Sequence, residues 1–191
     1  MHMLADQLKT DTLTNHQQLE KLLVVRMKAI RSIEDYVGLL QIFYSYFSGL
    51  EEKIDQYITV AELPDYQQRR KSAALAQDIE DLGGTPVEKA NGEDLPAIEN
   101  IEQAYAAMYV IEGSTLGGKI ISKMMAQQLR IIDGKGLAFF GGYGDNTESM
   151  WEKFKQTLNT HAQSANEEIE IVNTANQTFI KFKEWAEKQS I

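Results

Sequence analysis

What this sequence lacks narrows it quickly. It has no cysteine, which excludes disulfides, thiolate metal sites, iron–sulfur clusters and a cysteine nucleophile together. The same absence fits a reducing compartment. Prolines number three in 191 residues, so little interrupts long helices. No apolar run approaches the roughly 20 residues of a membrane span, and the start, Met1-His2-Met3, lacks the apolar segment of a signal peptide. A cytoplasmic protein is expected. Basic residues are outnumbered 19 to 28, for a net charge of −9. That argues against nucleic acid as the main partner, because phosphate binding needs a basic footprint. A basic membrane-surface helix is missing too.

What is present is helical. Apolar residues make up 43% and charged residues 25%, the composition of an ordinary globular protein. The length fits one domain spanning 1–191. Apolar residues recur at helical spacing almost everywhere. A first helix is predicted over about 4–28, with Leu4, Leu8, Leu19 and Leu23 on one stripe. Ser32 followed by Glu34 and Asp35 reads as an N-cap with first-turn acids. It opens a second helix, 33–59, whose face of Tyr36, Leu39, Leu40, Phe43, Phe47 and Leu50 is wide and aromatic. A third, 65–82, stops at Gly83-Gly84, and the Gly, Pro, Asn and Asp of 83–97 read as a surface loop. A long helix over 98–132, an ordered loop at 133–146, a helix after Thr147 and a last one at 165–189 complete the chain. Strand alternation appears nowhere at length. The fold class expected is all-α, without repeats or linkers.

Two features carry chemistry. Histidine is scarce, at His2, His16 and His161, and His16 alone lies in a regular apolar setting, among Leu8, Leu19 and Leu23. Glu20 lies one turn further along the same face. A neutral imidazole can bind iron through one nitrogen while a carboxylate fixes the other. A lone histidine on an apolar face is more often a hydrogen-bonded core residue. One histidine cannot complete a zinc site, but it suffices for heme, whose porphyrin supplies the other in-plane ligands.

The second feature is Gly113, Gly117 and Gly118, inside the helix predicted over 98–132. Each glycine in a helix costs roughly 1 kcal/mol relative to alanine. Residues four apart share a face, so Gly113 and Gly117 open a bare strip on it. Such a strip serves either close helix contact or a kink, or else lets a flat ligand lie against the backbone.

With those residues in view, the chain resembles the bacterial heme oxygenases that make biliverdin for phytochromes. "LKTDTLTNHQQLEKLL" is similar to the proximal helix of that family, and "AAMYVIEGSTLGGKII" to its distal helix. "RRKSAALAQDIEDLGG", "FFGGYGDNTESMWEKF" and the aromatic C-terminal helix through Trp185 resemble further segments in order. The resemblance implies a single-domain helical bundle with a kinked distal helix. It makes His16 the iron ligand, Glu20 its carboxylate partner, and Gly113, Ser114, Gly117 and Gly118 the distal wall. Lys9 and Lys155 match basic residues near the heme propionates, and Tyr143 approaches the same edge. Heme is then both cofactor and substrate, and the implied reaction consumes O2 and electrons to give biliverdin, carbon monoxide and ferrous iron.

Two positions depart from the wider family. Ser114 stands where animal members carry an aspartate, and Asn159 where a further arginine is found. The distal segment itself offers no imidazole or guanidinium. The implied electron donor is a ferredoxin or another reductant, and a bacteriophytochrome is a possible acceptor of the pigment. Arg69, Arg70 and Lys71, with Lys119, Lys123 and Arg130, read by default as a solvated face. A heme carrier of the same fold, without turnover, would show the same ligand set. Related helical enzymes of thiamine breakdown need a cysteine, and di-iron oxidases need Glu-x-x-His pairs; both are missing here.

Overall fold

The helix predicted over 4–28 is two helices. In the computed structural model, which describes residues 2–189, α1 (Leu4–Asp11) ends at Thr12 and α2 (Leu13–Ala29) follows at once. Thr12 is buried, and its hydroxyl donates to the Leu8 carbonyl at 2.6 Å. Asn176 of the last helix donates to the Asp11 carbonyl at 3.1 Å. Side chains thus serve carbonyls at the junction and fix the turn between the two helices.

Helix α3 (Ile33–Ile54) starts where its sequence says, on a capping box formed by Ser32 and Asp35. It buries Tyr36, Leu39, Leu40, Phe43, Phe47 and Leu50, as the aromatic face predicts, but stops five residues early. The segment 83–97 crosses it at Gly49, where a Cβ would collide with the Ala90 carbonyl, and the Ala90 amide donates to the Ser45 carbonyl at 2.9 Å. Helix α4 (Ser72–Asp81) is also shorter than predicted, because residues 66–68 form a separate 3-10 turn.

The long helix over 98–132 is α5 (Ile101–Gly113) and α6 (Thr115–Leu129), bent 34° at Ser114. Helices α7 (Thr147–His161) and α8 (Ala165–Lys188) follow. Helix α8 packs on both α5 and α2, so one element holds the two halves of the candidate site. One core joins all eight helices of the described residues, with Phe43, Phe47, Phe139, Phe140 and Phe182 linked by ring contacts at its centre. No strand occurs among the described residues, and none of their helices is long and apolar enough to cross a membrane.

Candidate active site

His16 lies at the rim of the core rather than within its stripe. Leu19, Leu23 and Met27 of α2 are buried, while 46% of the His16 side chain is exposed. Its ring stacks on Phe179 of α8, centroids 4.8 Å apart and planes 17° from parallel. Glu20 sits one turn on, its carboxylate 2.8 Å from Nε2. The imidazole is therefore clamped by an aromatic shelf and a carboxylate on Nε2, and nearly half of its side chain is exposed. No group of three His, Asp or Glu among the described residues could hold a metal ion. A metal at His16 must bring its remaining ligands with it.

The three glycines do different work. Gly117 is exposed, and a Cβ there would meet nothing within 4 Å. Gly113, one turn earlier, faces Trp151 of α7, whose indole would lie 3.5 Å from an added Cβ. Gly118 is turned the other way. A Cβ there would collide with the Phe140 carbonyl, so Gly118 lets the 133–146 loop press against α6. Leu116 and Ile120 of α6 are exposed, as are Leu13 and Val24 of α2. Gln128 of α6 donates to the Met27 and Ile30 carbonyls at 3.1 and 3.0 Å, fastening the C-terminal ends of the two helices together.

Behind the bend lies a polar cluster that corrects the expected solvated face at Arg69 and Arg70, while Lys119, Lys123 and Arg130 are exposed as expected. Arg69 is only 2% exposed. It pairs with Asp65 at 2.8 Å and with Glu112 at 3.1 Å, and donates to the Met150 carbonyl at 2.8 Å. Arg70 donates to the Ile111 carbonyl at 2.9 Å and the Ser114 hydroxyl at 2.7 Å, and its guanidinium stacks 3.7 Å from the centre of the Phe139 ring. Burial lowers its pKa to about 10, which still leaves it charged at neutral pH. Lys71 lies over the Tyr66 ring. The arginines point inward because carboxylates and carbonyls there replace the water they lose. A guanidinium thus stands directly behind Ser114, although the distal helix carries none.

Tyr143 belongs to the same cluster. Its hydroxyl accepts from the Arg70 amide at 2.8 Å and donates to Glu112 at 2.8 Å; burial, then the charge of Glu112, raises its pKa well above the usual phenol range. Asp78, buried, accepts from the Ala138 and Phe139 amides at 3.1 and 2.8 Å and so pins the loop to α4. Lys9 is exposed on α1. Lys155 pairs with Glu152 at 2.7 Å, beside Trp151. Asn159 accepts from the Ala5 amide at 2.8 Å, serving a free N–H of the first turn of α1. Phe179, Arg69, Arg70, Asp78 and Glu112 were not singled out from sequence as site residues. Glu112 did carry a signal: an acid ending the apolar run 104–111 asks for a buried partner.

The sequence matches the family described as Heme oxygenase over residues 2–188. The chain belongs to the heme oxygenase family. Membership makes it a heme-degrading oxidoreductase. A heme oxygenase of Xanthomonas campestris is 29% identical over 153 residues, covering 78% of this chain and 87% of that protein. Among solved structures, the NO- and CO-bound heme oxygenase of Neisseria meningitidis has a TM-score of 0.83 at 24% identity, over 98% of this chain and 92% of that one. Heme oxygenase-2 of Synechocystis, solved with heme and NO, has a TM-score of 0.77 at 17% identity, over 97% and 84%. At those identities the structures establish the shared heme oxygenase fold.

Proposed function

We propose that this heme oxygenase opens the heme ring to biliverdin, carbon monoxide and ferrous iron, using O2 and electrons from a reductant such as a ferredoxin. The observation that carries the reading is a half-exposed imidazole on α2 paired with an uncovered glycine, Gly117, on the bent helix. Exposed apolar residues on both helices offer the kind of surface a porphyrin face would cover.

In this reading His16 holds the iron. Ligation through Nε2 requires Glu20 to swing off that nitrogen, and its exposed side chain is free to move. Gly117 keeps the distal backbone bare of a Cβ atom, while Gly113, one turn earlier, makes room for Trp151 beside it. Lys9 and Lys155 provide positive charge for the propionates. Bound heme supplies both the iron that activates O2 and the porphyrin that is opened.

Ser114 has a narrower role than a proton donor. Its hydroxyl gives its own proton to the Ile111 carbonyl at 2.6 Å and accepts from Arg70. What remains is one acceptor position. Ser114 would therefore orient a water near bound heme by accepting a hydrogen bond from it, rather than by donating one. A bacteriophytochrome is a candidate acceptor of the pigment.

The test is to add hemin to the purified protein, record the Soret band, then supply a reductant under air. A histidine-ligated spectrum that decays into biliverdin absorption is expected, and His16→Ala should abolish the wild-type spectrum. A heme complex that persists under reductant and air would leave a carrier instead. No Soret change would remove both readings.

A further inference from the structure

The C-terminal end of α6 carries a surface that heme does not account for. Helix α6 ends at Leu129, and Arg130 follows in the left-handed region, at φ 55 and ψ 40. Glycine adopts that conformation freely, whereas a residue with a side chain is disfavoured there. The turn carries the chain off the helix, and Ile132 is 99% exposed. Beside it lies a groove of about 380 Å³, walled by Ile33 of α3, Leu82 just after α4, Leu129 and Ile131. One exposed isoleucine needs no explanation. An apolar knob standing next to an apolar hollow marks a contact surface.

The charges on the rim select the occupant. Arg130 and Lys135 stand there with Asp81 and Asp133, two of each sign in a chain of net charge −9. Asp81 accepts from Gln77 at 2.9 Å, and Asp133 from the Lys135 amide at 3.1 Å. None of the four forms an ion pair among the described residues. Such a rim favours neither a basic nor an acidic partner, but it complements itself.

We propose that this face pairs with the same face of a second copy of the chain, about a two-fold axis. Ile132 of each copy enters the groove of the other, and Arg130 and Lys135 meet Asp81 and Asp133 across the contact. A two-fold contact requires one surface that holds both halves of every interaction. Here knob and hollow, cation and carboxylate, occur side by side. Removing the isoleucines from water drives association, while the ion pairs fix orientation more than they add affinity. Nine residues line the groove, against roughly 20–30 a side in a stable complex. The dimer therefore exchanges with monomer. Gly117 lies about 20 Å back along α6, at the helical rise of 1.5 Å per residue, so pairing leaves the proposed heme face open and stands apart from that reading.

Sedimentation velocity on the heme-free protein, from about 5 μM to about 1 mM, should give a coefficient that climbs toward the dimer value. Ile132→Asp changes a fully exposed side chain and should fold; it should weaken association about tenfold or more. Arg130→Gly keeps the turn and removes the charge. It should raise the thermal midpoint by about 2–4 °C, measured on dilute monomer, yet weaken association. An arginine with a merely structural role would not give those opposite effects. A chain still monomeric at about 1 mM overturns the proposal, and the groove then belongs to a different partner or to none. A dimer of undiminished strength in Ile132→Asp uses another face and overturns it equally.

Discussion

At the scale of single residues, three glycines that look alike in sequence have three jobs. Gly117 faces open space, Gly113 makes room for an indole, and Gly118 admits a carbonyl from a neighbouring loop. Substitution should separate them. Gly117→Ala has no steric obstacle in the heme-free protein, so it should stabilise that form by about 0.5–1 kcal/mol through helix propensity. The same methyl would occupy the proposed heme face and weaken hemin binding. Gly118→Ala should instead destabilise the heme-free protein by about 1–3 kcal/mol, because a methyl is forced onto the Phe140 carbonyl. Urea unfolding with and without hemin reads both. Equal and same-signed effects at the two positions would remove the distinction. His16 shows the limit of stripe reading: its neighbours in the pattern are buried, but the residue itself sits at the edge, because α8 presents Phe179 there.

At the scale of elements, the helices were legible and their ends less so. Apolar periodicity marks every helix, since burying a face is what holds each one in place. Ends depend on side chains that arrive from elsewhere, as Asn176 does at the α1–α2 junction. The start of α3 is the exception, because its cap is local. Asp35 accepts from the Arg31 and Ser32 amides at 2.9 and 3.2 Å, and those bonds lower its pKa below the ordinary 3.8, that of Arg31 most. A carboxyl with a depressed folded value stabilises the protein above its unfolded value, and the contribution is lost as pH falls through the folded one. Asp35→Ala should therefore lower the urea midpoint at neutral pH and approach the wild type below pH 3.8. A midpoint difference that is the same at both pH values would assign the cap to helix propensity alone.

At the scale of the whole molecule, Arg69 gathers the 3-10 turn before α4, the end of α5 and the start of α7 around one buried guanidinium. Removing one partner of a buried ion pair leaves the other charged and unserved, at about 3–5 kcal/mol. Against a typical total stability of about 5–15 kcal/mol, that is a large share. Arg69→Met should lower the thermal midpoint strongly, and Arg69→Met with Glu112→Gln should recover part of the loss. A double variant no better than the single would show that the lost hydrogen bonds, not the stranded charge, dominate.

The sequence by itself determined the all-α class and the helical segments, and its motifs pointed to the family. Those follow from periodicity and residue type, which are local properties of the chain. Only the tertiary structure decided which glycine meets empty space, that Arg69 and Arg70 turn inward, and that the Ser114 hydroxyl accepts from Arg70. Those depend on what residues distant in sequence bring to the same place: Trp151 and Phe140 around the glycines, Glu112 beside Arg69, and Arg70 at Ser114. The sense of a charge or a glycine is set by its surroundings, and for this protein the bend at Ser114 is where those surroundings converge.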